Sequence, residues 1–263
     1  MIFNTSCRVE KAISSSNEAM KEELNLFFSE LLLDHGGIYT LHGKKPMTIE
    51  SIFYYDDSDF DQIEQYLKAH PEIQSQKIER YIDETLSTWK EYSNNLEMHN
   101  FLIAEIFSPN SPGKESSLLF INIKETILSI QKYYPDFREA YGRDFDPVLV
   151  VEGLRRGENE FWNMVIDHKA LLGILLGYGY NNAWSFKRKS DGQNGIENLG
   201  KLLKKDNAQF RLAGKLLDLP SFAKFDLEES EEILKQYEKD RNKIHQLYMG
   251  NSFLDVTLQA LEN

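Results

Sequence analysis

The residues whose types best suit ligand binding follow a glycine-rich break in the second half of the chain, GYGYNNAWSFKRK. Asn181 and Asn182 offer amide donors and acceptors. Tyr178, Tyr180 and Trp184 offer aromatic walls, as in many small-molecule pockets. The same residues are also typical of a helix that ends at the glycines and is followed by a new helix capped by asparagine. The stretch therefore predicts either a ligand pocket or only a helix cap.

Two histidines and an arginine are candidates to join this site. His168 lies on the predicted central helix, and His42 lies in the segment DHGGIYTLHGKKPMT. Arg155 provides, together with Lys187–Lys189, a rim that attracts anions. Asp167 and His168 are neighbours on different faces of a helix, so they do not form a base with its orienting carboxylate. A hydrogen-bonded packing role is therefore favoured for His168.

Signatures of nucleophilic or metal-dependent catalysis are absent from the sequence. None of the six histidines stands at an interval such as H-E-x-x-H, no G-x-S-x-G elbow occurs, and Cys7 lies outside the predicted fold. We therefore predict no metal and no cofactor, and favour a non-enzymatic binding or interaction protein with an unknown protein or small-molecule partner. The alternative is a hydrolase or transferase acting on a small anionic substrate in a pocket near Tyr178–Lys189. It requires His168 or His42 to converge with Asn181, Asn182 and Arg155.

The segment DHGGIYTLHGKKPMT resembles a phosphate-binding loop, because glycines and two lysines lie close together. A loop of that kind needs a helix that begins after the lysine, so that backbone N–H groups converge on the anion. Here a second strand is predicted after the lysines, and Pro46 lacks the N–H donor. We therefore predict a hairpin turn in which Lys44 and Lys45 are solvated, and we interpret Gly36-Gly37 as a helix stop.

The 263 residues carry a net charge of −12, which argues against nucleic acid as a partner, because phosphate binding needs a cationic surface. The segment Lys187–Lys215 nevertheless has eight basic and three acidic residues, a net charge of +5. A third hypothesis is that this segment contacts an acidic partner or membrane headgroups.

The longest uncharged run, Ala170–Phe186, is too short and too polar for a membrane span. A soluble protein without a transmembrane segment is therefore predicted. It is cytoplasmic by default, or exported if a leader was removed before Met1.

The first half of the chain combines helices with short strands. Ser15 and Glu18 predict a capping box for a first helix, and Pro71 predicts the start of a later one. The runs IYTLHG, MTIESIFYY, NFLIAEIF and SLLFINI are β-branched or aromatic and are bounded by turn residues, which indicates strands. These four strands predict one small antiparallel sheet.

The second half is predicted to be almost entirely helical. Asp146 and Pro147 mark one helix start, a long helix becomes apolar on all sides near Ala170–Leu176, and a surface helix has Ile233, Tyr237, Ile244, Leu247 and Tyr248 on its inner side. The segment around Gly214 and Pro220 is predicted to be an irregular connector. The predicted fold is a mainly helical α+β domain over residues 15–263, with a mobile tail over residues 1–14.

Three stretches together resemble a known group of sequences: GGIYTLHGKKPMT, FW…LLGILLGYGYNNAW and Y…RNKIHQLYMGNSFLDVTLQAL. They are similar to uncharacterised proteins from chlamydia-like and other intracellular bacteria, and the resemblance covers most of the chain. That group has no assigned activity, so the resemblance implies no catalytic residue. It does imply location, since members look like exported proteins with N-terminal hydrophobic leaders.

Overall fold

The structure is a computed structural model that describes residues 18–53, 81–107, 115–202 and 210–263. Several predicted features lie outside these ranges. They are the mobile tail over residues 1–14, the capping residue Ser15, the helix start at Pro71 and the loop between the last two predicted strands.

The described chain is mainly helical with a small antiparallel sheet, so the predicted α+β class is confirmed. The helices are α1 (Glu18–Phe28, continued by the π-helical segment Ser29–Asp34), α2 (Ile38–His42), α3 (Tyr81–Ser93), α4 (Ile123–Lys132), α5 (Tyr134–Tyr141), α6 (Pro147–Arg155), α7 (Glu160–Asp167), α8 (Lys169–Leu175), α9 (Tyr180–Ser190), α10 (Leu227–Tyr248) and α11 (Phe253–Glu262), with a 3₁₀ turn at Leu199–Leu202. No helix in these ranges is long and apolar enough to cross a membrane.

A three-stranded antiparallel sheet separates two hydrophobic cores. Its strands are β1 (Met47–Phe53), β2 (Phe101–Phe107) and β3 (Glu115–Asn122), in the order β1–β3–β2. Successive side chains of a strand point to opposite faces of the sheet. Leu118 and Phe120 of the central strand therefore belong to one core, while Leu119 and Ile121 belong to the other.

The first core gathers α1, α2, α3, α10 and α11 on one face of the sheet. Aromatic contacts dominate it: the ring of Phe27 stacks on Trp89 with centroids 5.6 Å apart, and Tyr39 meets Tyr237 edge-on at 5.2 Å. Such pairs stabilise a core beyond the area that they bury. The predicted first helix and the predicted surface helix therefore contribute side chains to the same core.

The second core gathers α4 to α9 on the other face. Trp162 is fully buried there, and its indole Nε1 donates a hydrogen bond of 2.9 Å to the carbonyl of Val150. Asp146 caps α6 by accepting from the N–H of Val148 at 2.7 Å, as the sequence predicts. This core carries the segment Tyr178–Lys189 at its edge.

The run Ile38–His42 forms helix α2, so the prediction of a strand there is wrong. Among the described residues the sheet consequently has three strands and not four. Ile38, Tyr39, Thr40 and Leu41 are all buried. A short apolar run that is buried on every side has no periodicity by which a strand can be told from a helix.

Two smaller expectations also need correction. The predicted irregular connector contains a short hairpin, with β4 (Arg211–Leu212) and β5 (Lys215–Leu216) joined at Ala213 and Gly214. Leu247 is 46% exposed and does not lie on the inner side of α10. The buried side of that helix passes through Ile244 and Tyr248, and Leu247 points away from it.

Candidate functional site

The predicted central helix is divided at His168 into α7 and α8, so the prediction of one continuous helix is wrong. His168 adopts an extended backbone conformation with φ −95° and ψ 92°. Its ring Nδ1 accepts a hydrogen bond of 3.2 Å from the N–H of Leu171 and thereby caps α8. Because Nδ1 is the acceptor, the neutral ring carries its proton on Nε2.

An open cleft of about 520 Å³ lies between α5, the end of α7 and α9. Three carboxyl groups line it, those of Asp136 and Glu139 from α5 and of Asp167 from α7. Its remaining walls are Ala140, Met164, His168 and Trp184. We call this feature the acidic cleft, because its charged lining groups are carboxylates and its other walls are aromatic or apolar.

Aromatic side chains fix one side of the acidic cleft. The ring of Trp184 meets His168 edge-on with centroids 5.6 Å apart, and Tyr180 lies 6.3 Å from Trp184. Tyr180 in turn stacks on Tyr133 at 5.0 Å and donates a hydrogen bond of 3.3 Å to Oδ1 of Asp136. Three predicted site residues, His168, Tyr180 and Trp184, are therefore brought together here.

The pKa shifts keep the ring groups of this region uncharged at neutral pH. Partial burial lowers the pKa of His168, and the nearby charge of Lys187 lowers it further. Burial and then the charge of Asp136 raise the pKa of the Tyr180 hydroxyl. Lys187 itself is paired with Asp191 at 2.6 Å. The described lining of the acidic cleft therefore contributes negative charge and includes no cationic side chain.

The N-terminus of α9 is occupied by the carboxylate of Glu229 from α10. Its two oxygens accept hydrogen bonds from the N–H groups of Asn181 at 3.2 Å and Asn182 at 2.9 Å. Gly179 precedes them with φ +87°, and a Cβ on it would overlap the Glu229 carboxyl group. An internal carboxylate thus fills this position.

The side chain of Asn182 is a buried structural link and is only 1% exposed. Its Nδ2 donates to the carbonyl of Tyr178 at 3.2 Å and to Oγ of Ser230 at 3.1 Å. Its Oδ1 accepts from the N–H groups of Phe225 at 2.6 Å and Asp226 at 2.9 Å. The amide is fully used in joining α9 to the start of α10.

Two other predicted site residues of this segment also make contacts within the protein. Asn181 is exposed, and its Nδ2 donates to Oδ2 of Asp226 at 2.9 Å. Tyr178 stacks on Phe222 with ring centroids 5.7 Å apart and lines a separate apolar cavity. The sequence identifies this segment but does not reveal Glu229 or Asp226, which lie more than forty residues later in the chain.

His42 and Arg155 make their contacts elsewhere in the fold. The Nε2 atom of His42 lies 2.8 Å from the hydroxyl of Tyr248, and burial lowers the pKa of this histidine to about 4. Arg155 donates to the carbonyls of Met98 at 3.1 Å and Phe101 at 3.3 Å. These contacts give no support to the convergence that the hydrolase or transferase alternative requires.

Lys45, in the segment that resembles a phosphate loop, is only 4% exposed, so the prediction that it is solvated is wrong. Its Nζ donates to Oγ1 of Thr48 at 2.9 Å, and that hydroxyl also bonds Oγ1 of Thr40 at 2.9 Å. Burial lowers the pKa of Lys45 to about 7. Helix α2 directs the chain toward the interior before Lys45, whereas the predicted hairpin turn leaves this side chain in solvent. Lys44 is exposed as expected.

Within the described ranges, no group of three His, Cys, Asp or Glu side chains is arranged to hold a metal ion. Comparisons of the chain with known protein families, with curated proteins and with solved structures find no match. The function of this protein is therefore inferred from its own side chains.

Proposed function

We propose that this protein is a non-enzymatic interaction protein whose acidic cleft binds a basic side chain, arginine or lysine, of a protein partner. The observation that supports this most strongly is the placement of Asp136, Glu139 and Asp167 around one open cleft walled by Trp184. Three carboxylates and an aromatic face together suit a cation that is also partly apolar.

The chemistry of the lining favours a guanidinium or ammonium group. Carboxylates form strong charge-assisted hydrogen bonds with arginine, often in pairs. Trp184 adds an aromatic wall, and a cation over an indole face is stabilised by about 0.5–2 kcal/mol. The net charge of −12 also favours encounters with basic partners over acidic ones.

The same lining favours binding over catalysis. Among the residues that the structure describes, none of its lining side chains is a serine, cysteine, threonine or lysine, the usual nucleophiles. Its histidine uses Nδ1 to cap α8, and a proton on that atom would oppose the N–H of Leu171. A cleft that is open to solvent also suits a side chain presented on the surface of a partner, because the partner backbone can remain outside.

The proposal is tested by calorimetric titration with a short arginine-containing peptide and with its citrulline counterpart, which has the same shape but no charge. We expect saturable binding of the arginine peptide only, and weaker binding as salt is raised, because the Debye length falls from about 10 Å at 0.1 M to about 3 Å at 1 M. The double variant Glu139→Gln/Asp167→Asn should lose most of the affinity.

The matched control is Glu232→Gln/Glu238→Gln, which removes two exposed carboxylates from α10 and changes the net charge equally. This control should bind as the wild type does. If both double variants weaken binding to the same extent, the general charge of the protein would explain the affinity and the cleft would not. Equal binding of the citrulline peptide would also contradict the proposal.

A further inference from the structure

A second cavity lies on the opposite side of α9 from the acidic cleft. Asn182, Ala183 and Phe186 face this cavity, whereas Trp184 faces the cleft. A helix turns by about 100° per residue, which places Trp184 about 150° away from the centre of the other three. The two sites therefore use different faces of one helix and different side chains.

The walls of this cavity are almost entirely apolar. The walls are Leu172 of α8, Leu176 directly after that helix, Ala183 of α9 and the ring of Tyr178, around a space of about 130 Å³, and Ala223 closes one side. Gly173 allows α8 and α9 to approach closely, since a Cβ on it would lie 3.0 Å from the Cβ of Ala183. An apolar cavity of about 150 Å³ in another protein stays dry and binds benzene. The space thus fits a short aliphatic or aromatic group.

The mouth of the cavity is marked by Lys169 and Phe186, which are the two exposed members of its lining. The ammonium group of Lys169 donates a hydrogen bond to Oγ of Ser190. In the part of the chain that the structure describes, no carboxylate lies within ion-pair distance of Lys169. Asp191 is the nearby acid, and its carboxylate is paired with Lys187.

Two more lysines stand near the segment that closes the cavity. The Nζ atom of Lys224 lies 4.9 Å from the ring centroid of Phe222, and that of Lys189 lies 5.6 Å from the ring centroid of Phe225. Both ammonium groups are thus held against aromatic faces, and neither is in an ion pair within the described ranges. The interior of the cavity is apolar and the groups around it are lysines. This combination favours a ligand that has an apolar tail and an anionic head.

We propose that this cavity binds small monocarboxylates, with the aliphatic or aromatic tail in the apolar interior and the carboxylate at Lys169. The site is independent of the acidic cleft, since the two share no lining residue. The carboxylate displaces the Ser190 hydroxyl as the partner of the Lys169 ammonium group, and the tail removes apolar surface from water. Highly charged ligands such as nucleotides do not suit the interior.

The first test is a calorimetric titration of the wild-type protein with acetate, propanoate, butanoate and pentanoate, and with pentylamine as the cationic counterpart. Each buried methylene should strengthen binding about fourfold until the cavity is full. Pentylamine should bind far more weakly than pentanoate, because the mouth is cationic. Affinity that does not depend on tail length, or equal binding of pentylamine, would overturn the proposal.

The second test uses variants whose folding is checked by thermal unfolding. Lys169→Gln should weaken pentanoate binding about tenfold, because a charge-assisted hydrogen bond is lost. Ala223→Leu should fill the cavity and abolish the effect of tail length. Arg188→Gln removes an equal charge from the neighbouring helix α9, outside the lining, and should bind as the wild type does. If Lys169→Gln and Arg188→Gln behave alike, Lys169 does not hold the carboxylate and the proposal fails. The tail-length series on the wild type decides the matter if Ala223→Leu does not fold.

Discussion

At the scale of single residues, the burial of Lys45 makes the free energy of unfolding depend on pH. Burial lowers its pKa to about 7, while the unfolded chain keeps the ordinary value of 10.5. Between these values the unfolded state binds more protons, so the free energy of unfolding rises with pH. We expect a rise of about 2 kcal/mol between pH 7 and about 9, where few tyrosines are ionised in the unfolded chain. Below pH 7 both states are protonated and this contribution stays constant.

Lys45→Met should remove that rise, and Lys44→Met, which alters an exposed neighbour, should retain it. Urea unfolding of the three proteins over this pH range provides the measurement. If the free energy of unfolding rises equally with pH in the wild type and in Lys45→Met, the buried amine does not cause the rise.

Asn182 and Asn181 are adjacent in sequence but make very different contributions to stability. Asn182→Ala leaves the N–H groups of Phe225 and Asp226 without their acceptor. Each unpaired buried group costs about 1–3 kcal/mol, so we expect a loss of about 3 kcal/mol or more in the free energy of unfolding.

Asn181→Ala is the matched control, because it removes one exposed hydrogen bond and should cost less than about 1 kcal/mol. Chemical denaturation of both variants gives the comparison. Equal losses in the two variants would contradict the structural role of the buried amide.

At the scale of elements, helix α9 depends on a carboxylate from α10. Glu229→Gln keeps the shape of the side chain but removes the charge that meets the N–H groups of Asn181 and Asn182. We expect the free energy of unfolding to fall by about 1–2 kcal/mol, because both the cap and the interaction with the helix dipole weaken. Glu232→Gln, at an exposed position of α10, should change it by less than about 0.5 kcal/mol. A similar stability for both variants would exclude the capping role.

The elements that the sequence predicts correctly are those with local signals. Asp146 and Pro147 mark the start of α6, and the apolar runs of β2 and β3, which are bounded by turn residues, pair as expected. His168 gives no such signal, because histidine is an uncommon cap and the flanking residues suit a helix. The run Ile38–His42 is buried on all sides, so its pattern does not distinguish a helix from a strand.

At the scale of the whole molecule, the acidic cleft is made by contacts between distant parts of the chain. Asp136, Asp167 and Trp184 meet only after α5, α7 and α9 pack on one face of the sheet. The sequence predicts His168, Tyr180 and Trp184 as site residues from their local setting. It does not identify the carboxylates, since 42 acidic residues offer many possible pairs and spacing alone does not select among them.

The most direct test of the acidic cleft uses the three tryptophan indole N–H signals in an NMR titration with the arginine peptide. Trp184 lines the cleft, whereas Trp89 is 2% exposed and Trp162 is fully buried within the two cores. We predict that the Trp184 signal shifts progressively and saturates while the other two stay in place, and that citrulline peptide moves none of them. A Trp184 signal that does not respond, or equal shifts of all three, would contradict cation binding in the cleft.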